Sequence, residues 1–166
     1  MRNTNIIGKI GFGGGCHWCT EAYFQSLIGV EKVEQGWISS ATPNGEFSEA
    51  VIVHYNPLLI PLKILIAIHL HTHASTKKHS FRGEYRSAVY IFDGKIVETQ
   101  HMISEFQIEF DEPIITEALL FNQFKSNSEM QHNYYKKNKA GVFCERYISP
   151  KLKKIEMEFA TYFKQI

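Results

Sequence analysis

Several things are scarce in this sequence, and each scarcity removes a class of protein. There are 3 cysteines and 5 prolines among 166 residues. So few thiols, and an odd number of them, argue against a secreted disulfide scaffold; in a reducing compartment a thiol is more often chemical than structural. No apolar run approaches the length of a membrane span. Met1 to Ile7 lacks the apolar core of a secretory signal, which predicts a cytoplasmic protein. An excess of one charge is missing too: 18 Lys and Arg stand against 17 Asp and Glu, a formal net charge of +1. A nucleic-acid or membrane partner therefore has no electrostatic support. No internal repeat, low-complexity tract or linker interrupts the chain, so residues 1–166 are expected to form one domain. What is abundant is core material, with 44% hydrophobic and 13% aromatic residues.

The chain is organised around Gly11-Phe-Gly-Gly-Gly-Cys-His-Trp-Cys-Thr-Glu21. A short apolar strand from Lys9 to Phe12 runs into three glycines, and a helix pattern follows from about His17 to Ser26. The glycines permit backbone angles closed to other residues and let a substrate approach the main chain at Gly15. Cys16 falls at the first turn of the helix, where unpaired N–H groups and the positive dipole end favour a thiolate. Cys19 lies one turn on, on the same face and within ordinary disulfide reach.

Strands are expected over Val30 to Ile38, Glu49 to Tyr55, Tyr85 to Phe92 and Ile114 to Leu120. Helices are expected over Leu62 to His69, opened by Pro61, and over Lys95 to Phe106. A short helix capped by Ser128 should reach Lys137, and a terminal one should run from Pro150 to Phe163. Strands alternating with helices predict an α/β or α+β domain with a small sheet.

The motif Gly14-Gly15-Cys16-His17-Trp18-Cys19-Thr20-Glu21 resembles the signature of the type A peptide methionine sulfoxide reductases, in the subgroup with Cys-x-x-Cys at the active site. Further matches follow in the same order along the chain. Gly29-Val30 with Gly36-Trp37, Ser48-Glu49-Ala50-Val51 with Tyr55-Asn56-Pro57, and Tyr85-Arg86-Ser87-Ala88-Val89-Tyr90 each resemble a family segment. Glu129, His132, Tyr134-Tyr135, Asn138 and the stretch from Cys144 to Lys153 are similar to its C-terminal part.

The resemblance implies a ferredoxin-like two-layer sandwich with long loops around a central mixed sheet. It implies reduction of the S epimer of methionine sulfoxide, free or in peptides, to methionine, with thioredoxin as external reductant and no metal or organic cofactor. Cys16 would be the nucleophile, oxidised to a sulfenic acid. Glu49 would be the acid: a sulfoxide oxygen leaves more easily once protonated, and burial on an apolar strand helps a carboxyl keep its proton. Tyr85 would hydrogen-bond that oxygen. Trp18 would wall the pocket for the substrate methyl, with His17 where the family usually has phenylalanine. Cys19 would resolve the sulfenic acid, with Cys144 as competitor.

The family's second tyrosine is missing from the loop Ser40 to Phe47, which leaves Tyr85 alone or assisted by Tyr134 or Tyr135. No aspartate stands near residues 71–80, where Ser80 or His79 would take over substrate binding. Two rivals use the same residues differently. One is a zinc module built from Cys16, Cys19 and histidines 69, 71, 73 and 79. The other is a general thiol–disulfide oxidoreductase, which leaves Glu49 and Tyr85 without a task.

Overall fold

In the computed structural model, residues 6–166 are described; most of the segment Met1 to Ile7 lies outside them. The fold is α+β, with one six-stranded mixed sheet. Its strands are β1 (Gly8–Gly13), β2 (Val30–Ser39), β3 (Ser48–Tyr55), β4 (Ala88–Ile91), β5 (Glu117–Leu120) and β6 (Gln123–Ser126). The helices are α1 (His17–Gln25), α2 (Leu62–Thr72), α3 (Ile96–Glu105), α4 (Tyr134–Asn138) and α5 (Ser149–Glu158). Strand order is β5-β4-β1-β3-β2-β6. All neighbours are antiparallel except β4 and β5.

β3 is buried on both faces, which is why Ala50-Val-Ile-Val53 reads as an unbroken apolar run. Val51 and Val53 join the main core with Phe12, Phe24, Leu65, Ile68 and Ile155, so α1, α2 and α5 share that face. Ala50 and Ile52 point the other way, to a smaller cluster with Ile38, Ala88 and Tyr90. Phe12 stacks on Phe24 at 4.5 Å between ring centroids, tying β1 to the helix that follows it.

The register sets the place of the site. Gly13, the last residue of β1, pairs with Ala50 on one side and Ala88 on the other. Trp37 stands opposite Glu49. The glycine turn before Cys16, the start of β3, the end of β2 and the segment before β4 therefore meet at one end of the sheet.

Four expectations need correction. Tyr85 lies outside the strand predicted for it, because the N–H of Arg86 goes to Ser48 Oγ (2.7 Å) and the sheet ladder begins only at Ala88. The helix predicted over Ser128 to Lys137 is two pieces, a 3-10 turn at Glu129–Gln131 and then α4. Asn133 separates them with a left-handed φ of 57°, and Ser128 makes no side-chain cap. The terminal helix ends at Glu158, not Phe163, since the chain beyond turns back to pair with the loop after α1: Ile28 N–H donates to Tyr162 O and Lys164 N–H to Ser26 O, both at 2.7 Å. β6 was not expected, for Gln-Phe-Lys-Ser is too short and polar to read as a strand; it is an edge strand on β2. Gly36 makes that pairing possible, because a Cβ there would sit 2.0 Å from the Lys125 carbonyl oxygen.

Candidate active site

Cys16 is the N-cap of α1, and its carbonyl accepts the N–H groups of Cys19 and Thr20 (both 3.1 Å). Gly14 has a φ of +149°, and a Cβ there would collide with the His73 ring at 2.4 Å, so the turn that delivers Cys16 requires glycine. Arg82 holds the same turn from outside, donating to the carbonyls of Gly14 (2.9 Å) and Tyr85 (3.0 Å). All three cysteines are free thiols. A hydrogen bond from the Cys19 thiol is the chief influence holding Cys16 below its ordinary value; the N–H groups of Cys19 and Trp18 add to it, and burial opposes it. The Cys19 thiol is pushed the other way, since it donates that bond and is buried. Burial also pushes Cys144 up. The helix start therefore separates an activated sulfur from a protonated neighbour.

Cys16 opens onto a cavity of about 560 Å³. Trp18, Trp37 and Phe143 form its apolar walls, while Glu49, Glu84 and Tyr85 bring the polar groups. Trp18 is fixed by its neighbours: it stacks flat on Tyr134 (4.1 Å between centroids, 2° between planes) and meets Phe143 edge-on at 5.6 Å. Tyr134 in turn is placed by Glu21, a carboxylate only 1% exposed that accepts the N–H groups of Asn133 (3.0 Å) and Tyr134 (3.1 Å). Glu49 is 9% exposed, buried rather than at a strand edge. Its own N–H donates to Glu84 O (2.9 Å), and Ser48 Oγ donates to the same carbonyl (2.9 Å). These bonds bring Tyr85 to Glu49; burial, then the charge of Glu49, push the Tyr85 hydroxyl up to about 12, which keeps it a proton donor.

His17, the first residue of α1, is buried, with its side chain set against β2 and β3. Its Nδ1 donates to the Gly36 carbonyl (2.7 Å), and its Nε2 stands 3.2 Å from Glu49 Oε1. The same carboxyl oxygen accepts the His17 backbone N–H at 3.2 Å. Thus Cys16, His17, Trp18, Glu49 and Tyr85 meet around one cavity.

Other candidates fall elsewhere. Ser80 begins an exposed 3-10 turn, Ser80–Gly83, and neither it nor Gly15 lines the cavity. Tyr134 and Tyr135 do not line it either; the first is committed to Trp18 and the second lies beside Lys139. Among the described residues no group of three or more His, Cys, Asp or Glu is arranged to hold a metal, so the zinc reading finds no gathered ligands. Sequence reasoning overlooked Trp37, Glu84, Asn127, Gln131 and Phe143 as lining residues. Trp37 had a signal in the Gly36-Trp37 match and Glu84 in its place next to Tyr85; the other three come from distant segments and had none.

A family model described as peptide methionine sulfoxide reductase matches residues 8–162. The peptide methionine sulfoxide reductase MsrA of Chromobacterium violaceum is 32% identical over 165 residues, covering 89% of this chain and 94% of the relative. Among solved structures, Mxr1 of Saccharomyces cerevisiae in reduced form superposes with a TM-score of 0.73 at 21% identity, over 87% of this chain and 92% of that one. Mxr1 in complex with Trx2 gives 0.62 at 20% identity, over 80% and 88%. With the thiol, the buried acid and the match running nearly end to end, the chain belongs to the peptide methionine sulfoxide reductase family.

Proposed function

We propose that this protein reduces the S epimer of methionine sulfoxide, free or within peptides, to methionine. The observation that carries the reading is one cavity holding an activated thiol, a buried carboxyl and a tyrosine hydroxyl between aromatic walls. The sulfoxide's methyl group packs against Trp18, and its oxygen turns to Glu49 and Tyr85. The Cys16 thiolate attacks the substrate sulfur and the oxygen passes to Cys16, taking a proton from Glu49 while Tyr85 donates a hydrogen bond to it. Methionine leaves, two electrons have moved from Cys16 to the substrate, and Cys16 is a sulfenic acid.

Cys19 then attacks the sulfenic acid, releasing water and forming a Cys16–Cys19 disulfide. Its place one turn along α1 favours it over Cys144, which is enclosed in the core. A thioredoxin dithiol opens that disulfide; the relative Mxr1, solved in complex with Trx2, supports this partner. No metal or organic cofactor enters the scheme. The core order β4-β1-β3-β2, with helices α1 and α2 as crossovers, supports a ferredoxin-like two-layer arrangement forming one reductase domain. No helix among the described residues is long and apolar enough to cross a membrane, in keeping with a cytoplasmic repair enzyme.

The test offers separated R and S epimers with thioredoxin to wild type, Cys16→Ser and Cys19→Ser. Wild type turns over the S epimer, Cys16→Ser is inactive, and Cys19→Ser releases one equivalent of methionine and then stops. Activity surviving in Cys16→Ser, or a Cys16–Cys144 bridge as the main product by mass spectrometry, would overturn the respective assignment.

A further inference from the structure

His17 occupies the place where the resemblance leads one to expect a phenylalanine wall, yet its ring is wired as a polar group. The Gly36 carbonyl can only accept, so the 2.7 Å contact fixes a proton on Nδ1. A neutral ring then presents a bare lone pair at Nε2. Two groups face that nitrogen: Glu49 Oε1 at 3.2 Å and Asn127 Nδ2 at 3.4 Å. The orientation of Asn127 is set independently, because its Nδ2 donates to Gln35 Oε1 (2.8 Å) and its Oδ1 accepts the Ser128 N–H (2.8 Å). Between a lone pair and a carboxylate oxygen there is repulsion unless a proton lies on one of them. His17 is 5% exposed and Glu49 9%, so water is a poor substitute for that proton.

We propose that His17 is the proton-holding and positioning partner of Glu49, so that the acid of this active site is a His17–Glu49 pair rather than a lone carboxyl. This rests on the methionine sulfoxide reductase reading. The pair keeps one proton in two arrangements, a carboxylic acid donating to Nε2 or an imidazolium donating to a carboxylate. Oε1 makes both contacts to His17, its ring and its backbone N–H, which leaves Oε2 as the oxygen not engaged by His17. When Glu49 protonates the departing sulfoxide oxygen, a Cys16 thiolate and a sulfoxide become a sulfenic acid and a sulfide with uptake of that single proton. In the imidazolium arrangement His17 first hands that same proton from Nε2 to Glu49, so the transfer to the oxygen leaves a neutral imidazole beside a carboxylate, and the proton is restored from solvent before the next turnover. Other titratable groups face the pair: Cys16 from the helix start, Glu84 and Tyr85 from the segment before β4, and Lys125 of β6, whose ammonium lies over the Trp37 ring at 5.9 Å. Trp37 itself meets the His17 ring edge-on at 5.1 Å.

The arrangement reverses the wall reading, under which His17→Phe would be harmless. The test is the pH profile of methionine formation in a single turnover without reductant, for wild type, His17→Phe and His17→Gln. Glutamine keeps a polar side chain that can donate to Glu49 but cannot carry a proton, and it serves if the phenylalanine variant does not fold. In both variants the maximal single-turnover rate at pH 8 should fall about tenfold or more, with a smaller change in the sulfoxide concentration for half-saturation. The alkaline limb of the profile should move to lower pH. Variant profiles that superpose on wild type in shape, whatever their height, would overturn the proposal. A wild-type protein that forms no methionine would instead overturn the reductase reading beneath it.

Discussion

Cys16 and Cys19 shift each other in opposite directions: the Cys19 thiol favours the Cys16 thiolate while its own proton is held in place, so the residue proposed to resolve the sulfenic acid also activates its neighbour. This gives Cys19 a measurable effect before any oxidation. In Cys19→Ala the donor is gone, and the pH midpoint for alkylation of Cys16 by iodoacetamide should rise; an unchanged or lower midpoint would assign the activation to the helix N–H groups alone. The helix start carrying both sulfurs and the carboxyl of Glu49 beside Cys16 were legible in the motifs. The environment of His17 was not, since its partners Gly36, Glu49 and Asn127 lie 19, 32 and 110 residues away. A residue type announces its chemistry, but its hydrogen-bond partners are a product of folding.

At the level of elements, the site depends on short pieces that carry little intrinsic stability. α4 has five residues, too few to stand without an anchor, and the anchor is Glu21 on α1. Glu21→Ala should lower unfolding free energy by about 2 kcal/mol, the scale of hydrogen bonds to a buried charged acceptor. It should also alter Trp18 fluorescence, because Tyr134 would no longer be held against the indole. Stability equal to wild type in urea titration would show that α4 is anchored otherwise. The long elements, α1, β2, β3 and α2, were readable because each carries enough apolar residues in sequence, an unbroken run in β3, to mark it as packed against the core. β6 and α4 were misread because partners define them: β6 exists by pairing with β2 across Gly36, and α4 begins where Glu21 captures two N–H groups.

For the whole molecule, the histidine pair behind the glycine turn couples stability to pH. His69 and His73 stack at 4.1 Å, and His73 Nε2 meets Ser87 Oγ at 2.8 Å, which joins α2 to the segment before β4. Burial holds His69 far below its ordinary value and brings His73 from 6.5 to about 4. The unfolded chain therefore binds protons that the folded one refuses. Stability is full above pH 6.5 and falls as pH drops toward 4, by at most about 1.4 kcal/mol per pH unit for each histidine. Urea midpoints at pH 7.5 and 5 should show the fall, and His73→Gln should flatten it. The sequence alone determined the family and with it the reaction class, and it put the Cys16 thiol at a helix start, because a thiol after three glycines and an ordered set of motifs are local or linear features. It also determined that strands and helices alternate, through hydrophobic period. Only the tertiary structure decided which groups stand together: Trp37 opposite Glu49, Phe143 across from Trp18, and the imidazole of His17 against the acid. Those neighbours are set by strand register and by backbone groups from distant segments, and neither is written in the local residue pattern.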